Sequence, residues 1–159
     1  MQKILVPTDF SNSAMKAVAY AAEIAKRSGA RIHLLHVIEP SLNMATMHVD
    51  SADKKEVEKK TAQFNLSLKS IVEVYPDVEV IPFLAGGAVI TAILKYVEKE
   101  KIDMIVMGTS GASGLKKYIM GSVTAGVIGK TKIPVLAIPI SYELEKPDAI
   151  MFATNQFEK

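Results

Sequence analysis

The chain has no cysteine, no apolar run approaching the ~18 residues that a membrane span requires, and no stripe of charge of one sign. The first absence removes disulfides, cysteine-ligated zinc, iron–sulfur clusters and thiol catalysis together. The second means that an apolar content of 49% must be spent inside a folded core, so no membrane partner is expected. Nineteen Lys and Arg against seventeen Asp and Glu leave a net charge of +2, and the charges from Asp53 to Lys60 alternate in sign as on a solvated helix face. Nucleic acid is therefore not an expected partner. Met1 leads almost at once into Ile4-Leu5-Val6, without a long apolar leader or a small-residue cleavage site, so the expected compartment is the cytoplasm.

What is present is a set of short, continuous Val/Ile/Leu runs within 159 residues, a length suited to one domain that buries roughly 70% of its unfolded surface. Continuous apolar runs are the mark of strands covered on both faces, as in a parallel sheet flanked by helices. Residues 2–8 read as a first strand stopping at Pro7-Thr8-Asp9, with Ser11, Asn12 and Ser13 available to cap a helix. That helix carries Ala14, Ala17, Val18, Ala21, Ala22 and Ala25 at helical spacing, and Gly29 suits the residue just past its end. A second strand is expected over 31–38, a loop over 39–49, a charged amphipathic helix over 50–74 and a third strand over 78–83. Gly86-Gly87 introduces a helix over 88–100; a fourth strand (102–107), a Gly/Ser-rich loop (108–120), a helix (122–130) and a last strand (133–140) complete the series. Pro134 and Pro139 cannot donate ladder bonds, which puts the last strand at a sheet edge.

Alternating strands and helices imply an α/β domain with a parallel sheet and right-handed crossovers. The expected architecture is a five-stranded sheet with order 3-2-1-4-5 and helices on both faces. Ligands of such sheets sit beyond the carboxyl ends of the strands where the order reverses. That crevice lies between the ends of strands one and four, so the turn at Pro7-Thr8-Asp9 and the loop 108–122 become neighbours.

The loop carries Gly108-Thr109-Ser110-Gly111, nine intervening residues, then Gly121-Ser122 at a helix start. Backbone N–H groups approach a ligand closely where no Cβ intervenes, and a helix start adds unpaired N–H groups and a positive dipole end. Glycine-rich loops are also ordinary turn punctuation. Here the loop follows a buried strand and faces the crevice, and its spacing Gly-x2-Gly-x9-Gly-Ser resembles the nucleotide-binding signature of ATP-binding universal stress proteins. The resemblance runs along the chain, through Ile4-Leu5-Val6-Pro7-Thr8-Asp9-Phe10-Ser11, Leu35-His36-Val37, the segment from Asp103 to Thr109, and Pro134-Val135-Leu136.

That resemblance implies a Rossmann-like fold of the adenine nucleotide alpha hydrolase type, in which Pro7, Thr8 and Asp9 line an adenosine pocket with the Val37 backbone against adenine. It implies that Met107 and Gly108 border the ribose, and that Gly111, Gly121, Ser122 and Val123 hold phosphates. ATP or another adenine nucleotide is the implied cofactor, and a homodimer through the edge strand 133–140 the implied assembly. Asp9 could accept from ribose hydroxyls or hold Mg²⁺ beside the phosphates, or serve only to cap the first helix. Lys116 and Lys117 could reach a γ-phosphate or be merely solvated; Ser110 and Ser113 read as turn serines.

Other motifs fail on position. Gly126-Val127-Ile128-Gly129-Lys130-Thr131 has two residues between its glycines where a P-loop has four, and it lies near a helix end whose dipole repels phosphate. The first turn lacks the Gly-x-Gly-x-x-Gly of dinucleotide folds. His33 and His36, three apart on a strand, point to opposite faces and read as structural. No Walker B partner, arginine finger or Ser-His-Asp set is evident, so no catalytic residue is assigned.

The expected function is thus an ATP-binding stress-response switch or interaction module with slow hydrolysis at most. The alternatives are a nucleotide-free dimerisation module of the same family and a nucleotidyl-transfer enzyme of the same general fold. The domain is expected to end near Ser141. Residues 142–159 are a charged linker and then Ile150-Met151-Phe152-Ala153-Thr154-Asn155-Gln156-Phe157, which echoes Ile4 to Phe10, as the start of a second such domain would.

Overall fold

The apolar runs become five strands, β1 (Lys3–Pro7), β2 (Arg31–Ile38), β3 (Val80–Gly86), β4 (Met104–Gly108) and β5 (Val135–Ile138). Between them lie α1 (Asn12–Ser28), α2 (Ser51–Val74), α3 (Val89–Glu100) and α4 (Ser122–Ile128). The computed structural model describes residues 1–39, 51–109, 120–141 and 143. Gly111, Ser110, Ser113, Lys116, Lys117 and the proposed second-domain start at 150–157 lie outside the described residues.

All pairings are parallel and the order is β3-β2-β1-β4-β5, so β1 is central and β5 and β3 are the edges. The strands' alternation divides the core into two layers. Ile4, Val6, Ile32, Leu34 and Val106 face α1 and α2, where they meet Ala17, Val18, Ala21, Phe64 and Ile71. Leu5, Leu35, Ile105 and Met107 face α3 and α4, where they meet Ile93, Tyr96, Val97 and Val127. Ile4, Leu5, Leu35 and Ile105 are entirely buried, each contributing about 1.5–3 kcal/mol.

Helix α1 begins at Ser11, whose hydroxyl accepts from the Ala14 N–H at 3.3 Å, and ends at Gly29, whose φ of 68° favours glycine. Its alanine face lets it settle so closely on the sheet that a Cβ on Gly108 would overlap Ser13 Oγ and lie 2.8 Å from the Ser13 carbonyl carbon and oxygen.

Several boundaries differ from the sequence expectation. Strand β3 starts at Val80, because the Val78 N–H is taken by the Tyr75 carbonyl in the turn after α2. It continues to Gly86, because Leu84, Ala85 and Gly86 pair with His36, Val37 and Ile38. Strand β5 is confined to 135–138 between the two prolines, although the Pro134 carbonyl still accepts from the Ile105 N–H. Helix α4 ends at Ile128, before Gly129.

His33 and His36 do face opposite layers. His36 packs by Phe10 and Phe64, and His33 by Tyr96. His33 is 3% exposed; its Nδ1 lies 2.8 Å from the Tyr96 hydroxyl and its Nε2 has no partner among the described residues. We assign the hydrogen to Nδ1, because an unpaired buried lone pair costs less than an unpaired buried N–H. Burial, with a smaller effect from Lys3, holds its pKa below the ordinary 6.5. The unfolded chain therefore takes up this proton at a higher pH than the folded chain. Stability from the neutral ring is full above about pH 6.5 and declines as pH falls toward the lower folded value. Urea unfolding followed from neutral to mildly acidic pH should show this decline, with a shallower one in His33→Gln; equal slopes would exclude His33 as the cause.

Candidate functional site

Strands β1 and β4 are neighbours from which the chain leaves to opposite layers, so nothing in the sheet fills the space beyond their carboxyl ends. The turn 8–11 forms one wall. The Thr8 N–H donates to the Leu35 carbonyl at 2.8 Å, Thr8 Oγ1 accepts from the Phe10 N–H at 3.0 Å, and Asp9 Oδ1 accepts from the Ser11 N–H at 3.0 Å. Ser11, not Asp9, is the N-cap of α1.

The other wall is the start of α4. The Thr109 N–H donates to the Ile138 carbonyl at 3.0 Å, and the Gly121 N–H donates to the Thr109 carbonyl, so the two ends of the Gly/Ser-rich loop meet. Buried Thr124 donates its hydroxyl to the Gly108 carbonyl at 2.7 Å, tying the first turn of α4 to the end of β4. Gly121 is the N-cap, with φ −60° and ψ 149°, and as glycine it offers no side chain to cap the helix.

Between the walls is a cavity of about 350 Å³. Pro7, Thr8, Asp9, Val37, Met107, Gly108, Gly121, Ser122 and Val123 all line it, so every expected site residue within the described part of the chain comes to one place. Ala14, Leu35, Glu39, Val89 and Thr124 join them unforeseen. Glu39 carried a signal, since it directly follows β2 at the ligand end of the sheet; Val89 carried none, because its position depends on how α3 crosses. Asp9 and Glu39 are carboxylates, and no Lys or Arg among the described residues lines the cavity. No cluster of three or more potential metal ligands occurs among the described residues.

The glycines divide by role. Gly108 is required by the approach of α1, and a Cβ on Gly126 would collide with Ile90 Cδ1, so the glycine of the P-loop look-alike serves the packing of α4 on α3. Gly121 has ordinary extended backbone that any residue adopts.

The model of the Universal stress protein family matches residues 1–139. The chain belongs to the universal stress protein family. This universal stress protein is 32% identical over 139 residues to the universal stress protein MJ0531 of Methanocaldococcus jannaschii, covering 86% of this chain and 81% of that one. It resembles the solved structure of hypothetical protein MJ0577 with a TM-score of 0.74 and 31% identity, covering 86% of this chain and 94% of the other. The universal stress protein from Archaeoglobus fulgidus in complex with dAMP shares the fold at 22% identity, TM-score 0.60, covering 87% of this chain and 98% of that one. Among the described residues no helix is long and apolar enough to cross a membrane.

Proposed function

We propose that this universal stress protein binds ATP, or a related adenine nucleotide, in the cavity between the turn 8–11 and the start of α4. Bound nucleotide would act as a switch on an interaction surface, with slow hydrolysis at most. The observation that carries the reading is the backbone of Val37. Along β2 the odd-numbered residues turn their polar backbone toward β1: the Arg31 N–H donates to the Gln2 carbonyl and the Leu35 carbonyl accepts from Thr8. The even-numbered ones turn toward β3, as with Ile32 to Glu79 and Ile38 from Gly87. Val37 is the next odd residue, but β1 has ended at Pro7, so its N–H and C=O are directed at the cavity. A donor and an acceptor side by side at an apolar rim match the exocyclic amine and ring nitrogen of adenine.

At the far end, Gly121, Ser122 and Val123 form the start of α4, where the N-cap glycine has no side chain to take up the first N–H groups and these suit phosphate oxygens. Polyphosphate against Asp9 and Glu39 needs a counter-cation. Mg²⁺ held by phosphate oxygens, water and one carboxylate would supply it, and Asp9 is the carboxylate we assign to that role. The A. fulgidus protein of the same fold was solved with dAMP, an adenine nucleotide. Mass spectrometry of nucleotide released by denaturing freshly purified protein, followed by calorimetric titration with ATP with and without Mg²⁺, tests the reading. Released adenylate, or ATP affinity that falls on chelation more than AMP affinity does, supports it. No released nucleotide and no heat at high micromolar ATP would overturn it.

We propose further that two copies associate through β5, the edge strand within 133–140, whose outer side has no neighbour in the sheet among the described residues and which is followed by exposed Ile140. Sedimentation equilibrium should give a dimer, and a monomer at high micromolar concentration that ATP does not alter would count against it.

A further inference from the structure

The sequence reads His36 as a structural histidine on the opposite face of β2 from His33. Its ring nevertheless reaches the cavity's main chain. His36 Nδ1 lies 2.7 Å from the Thr8 carbonyl oxygen. A carbonyl oxygen only accepts, so Nδ1 carries the hydrogen and the imidazole donates. Thr8 and Asp9 share that peptide unit. Because the unit is planar and trans, holding its oxygen toward His36 turns the Asp9 N–H to the opposite side and fixes where the Asp9 side chain leaves the backbone.

The same ring acts on the next residue. Phe10 has φ of 60°, the left-handed region that a bulky residue enters only when its surroundings hold it there. Its ring lies 5.1 Å from His36 and 6.0 Å from Phe64 of α2, while His36 and Phe64 stack at 6.1 Å and 20°. His36 thus grips the turn twice, by a hydrogen bond to Thr8 and by ring contact with Phe10. Both residues flank Asp9, which lines the cavity.

We propose that His36 is a positioning residue for nucleotide binding, acting through its Nδ1–H on the Thr8 carbonyl to hold the Thr8–Asp9 peptide in its binding orientation. This rests on the adenine-nucleotide reading of the cavity, so its test has one arm that needs no nucleotide. Asparagine places an amide N–H close to the position of Nδ1, glutamine places it one carbon further out, and phenylalanine keeps a ring without a donor. His36→Phe and His36→Gln should each weaken ATP binding about tenfold or more, the loss of one hydrogen bond that leaves a half-buried acceptor unpaired. His36→Asn should stay within about threefold of the parent despite lacking the ring. In ¹⁵N-labelled protein without nucleotide, the Asp9 amide should exchange with solvent faster in His36→Phe and near the parent rate in His36→Asn. A parent-like Asp9 exchange rate in folded His36→Phe would overturn the proposal, as would His36→Asn losing as much as His36→Phe. If the parent takes up no adenine nucleotide, the function assigned to the cavity fails while the amide comparison still decides whether His36 orders the turn.

Discussion

Gly108→Ala is expected to lower stability by about 2–3 kcal/mol, the scale of overpacking in a closed core, which for a chain of this size is a fall in melting temperature of about 4–12 °C. The added methyl would overlap Ser13 Oγ, a contact that deleting the hydroxyl could relieve. It would also sit 2.8 Å from the Ser13 carbonyl carbon and oxygen, which belong to the first turn of α1 and cannot rotate away. The helix start must therefore shift. Adding Ser13→Ala should recover only a minor part of the loss, and a double-mutant cycle by thermal unfolding measures this. Full recovery would mean that the hydroxyl alone sets the distance between α1 and β4. Displacement of the α1 start also moves the turn 8–11, so nucleotide affinity should fall along with stability.

Gly121→Val should have the opposite profile. Its φ of −60° and ψ of 149° are comfortable for a β-branched residue, so the fold should survive with nearly unchanged melting temperature. Gly121 lines the cavity at the start of α4, and an isopropyl group there would occupy the space through which, on the proposed function, phosphate approaches the helix N–H groups. ATP affinity should drop at least about a hundredfold, equivalent to about 2.7 kcal/mol, with adenosine affected much less. Titration of the folded variant decides it; unchanged ATP affinity would place the phosphates elsewhere. The two glycines stand at the two ends of one loop, yet one tests packing and the other tests ligand access.

The strands were legible in the sequence because a strand buried on both faces must be apolar throughout, as Ile4-Leu5-Val6 and Ile105-Val106-Met107 are. The ends of α1 were legible because Ser11 and Gly29 satisfy local rules, a side-chain cap within three residues and a left-handed terminus. The extent of β3 was not, since it depends on how far β2 offers partners, and neither was the distinction between Gly108 and Gly121. In the sequence both are glycines flanking one loop; one meets Ser13 of α1 and the other stands at the cavity wall as the N-cap of α4.

The sequence by itself determined the alternation of elements, the edge placement of the proline-flanked strand and, given the order 3-2-1-4-5, the gathering of the turn at Pro7 and the two ends of the glycine loop at one crevice. Each follows from periodicity, or from residues whose backbone freedom is restricted whatever surrounds them. Only the tertiary structure decided that Glu39 and Val89 enter the cavity, that Thr124 ties α4 to β4, and that His36 reaches the Thr8 carbonyl. These contacts join residues far apart in the chain. Hydrogen bonding and close packing at that range depend on how helices seat on the sheet to within a fraction of an ångström, and no local pattern encodes that fit.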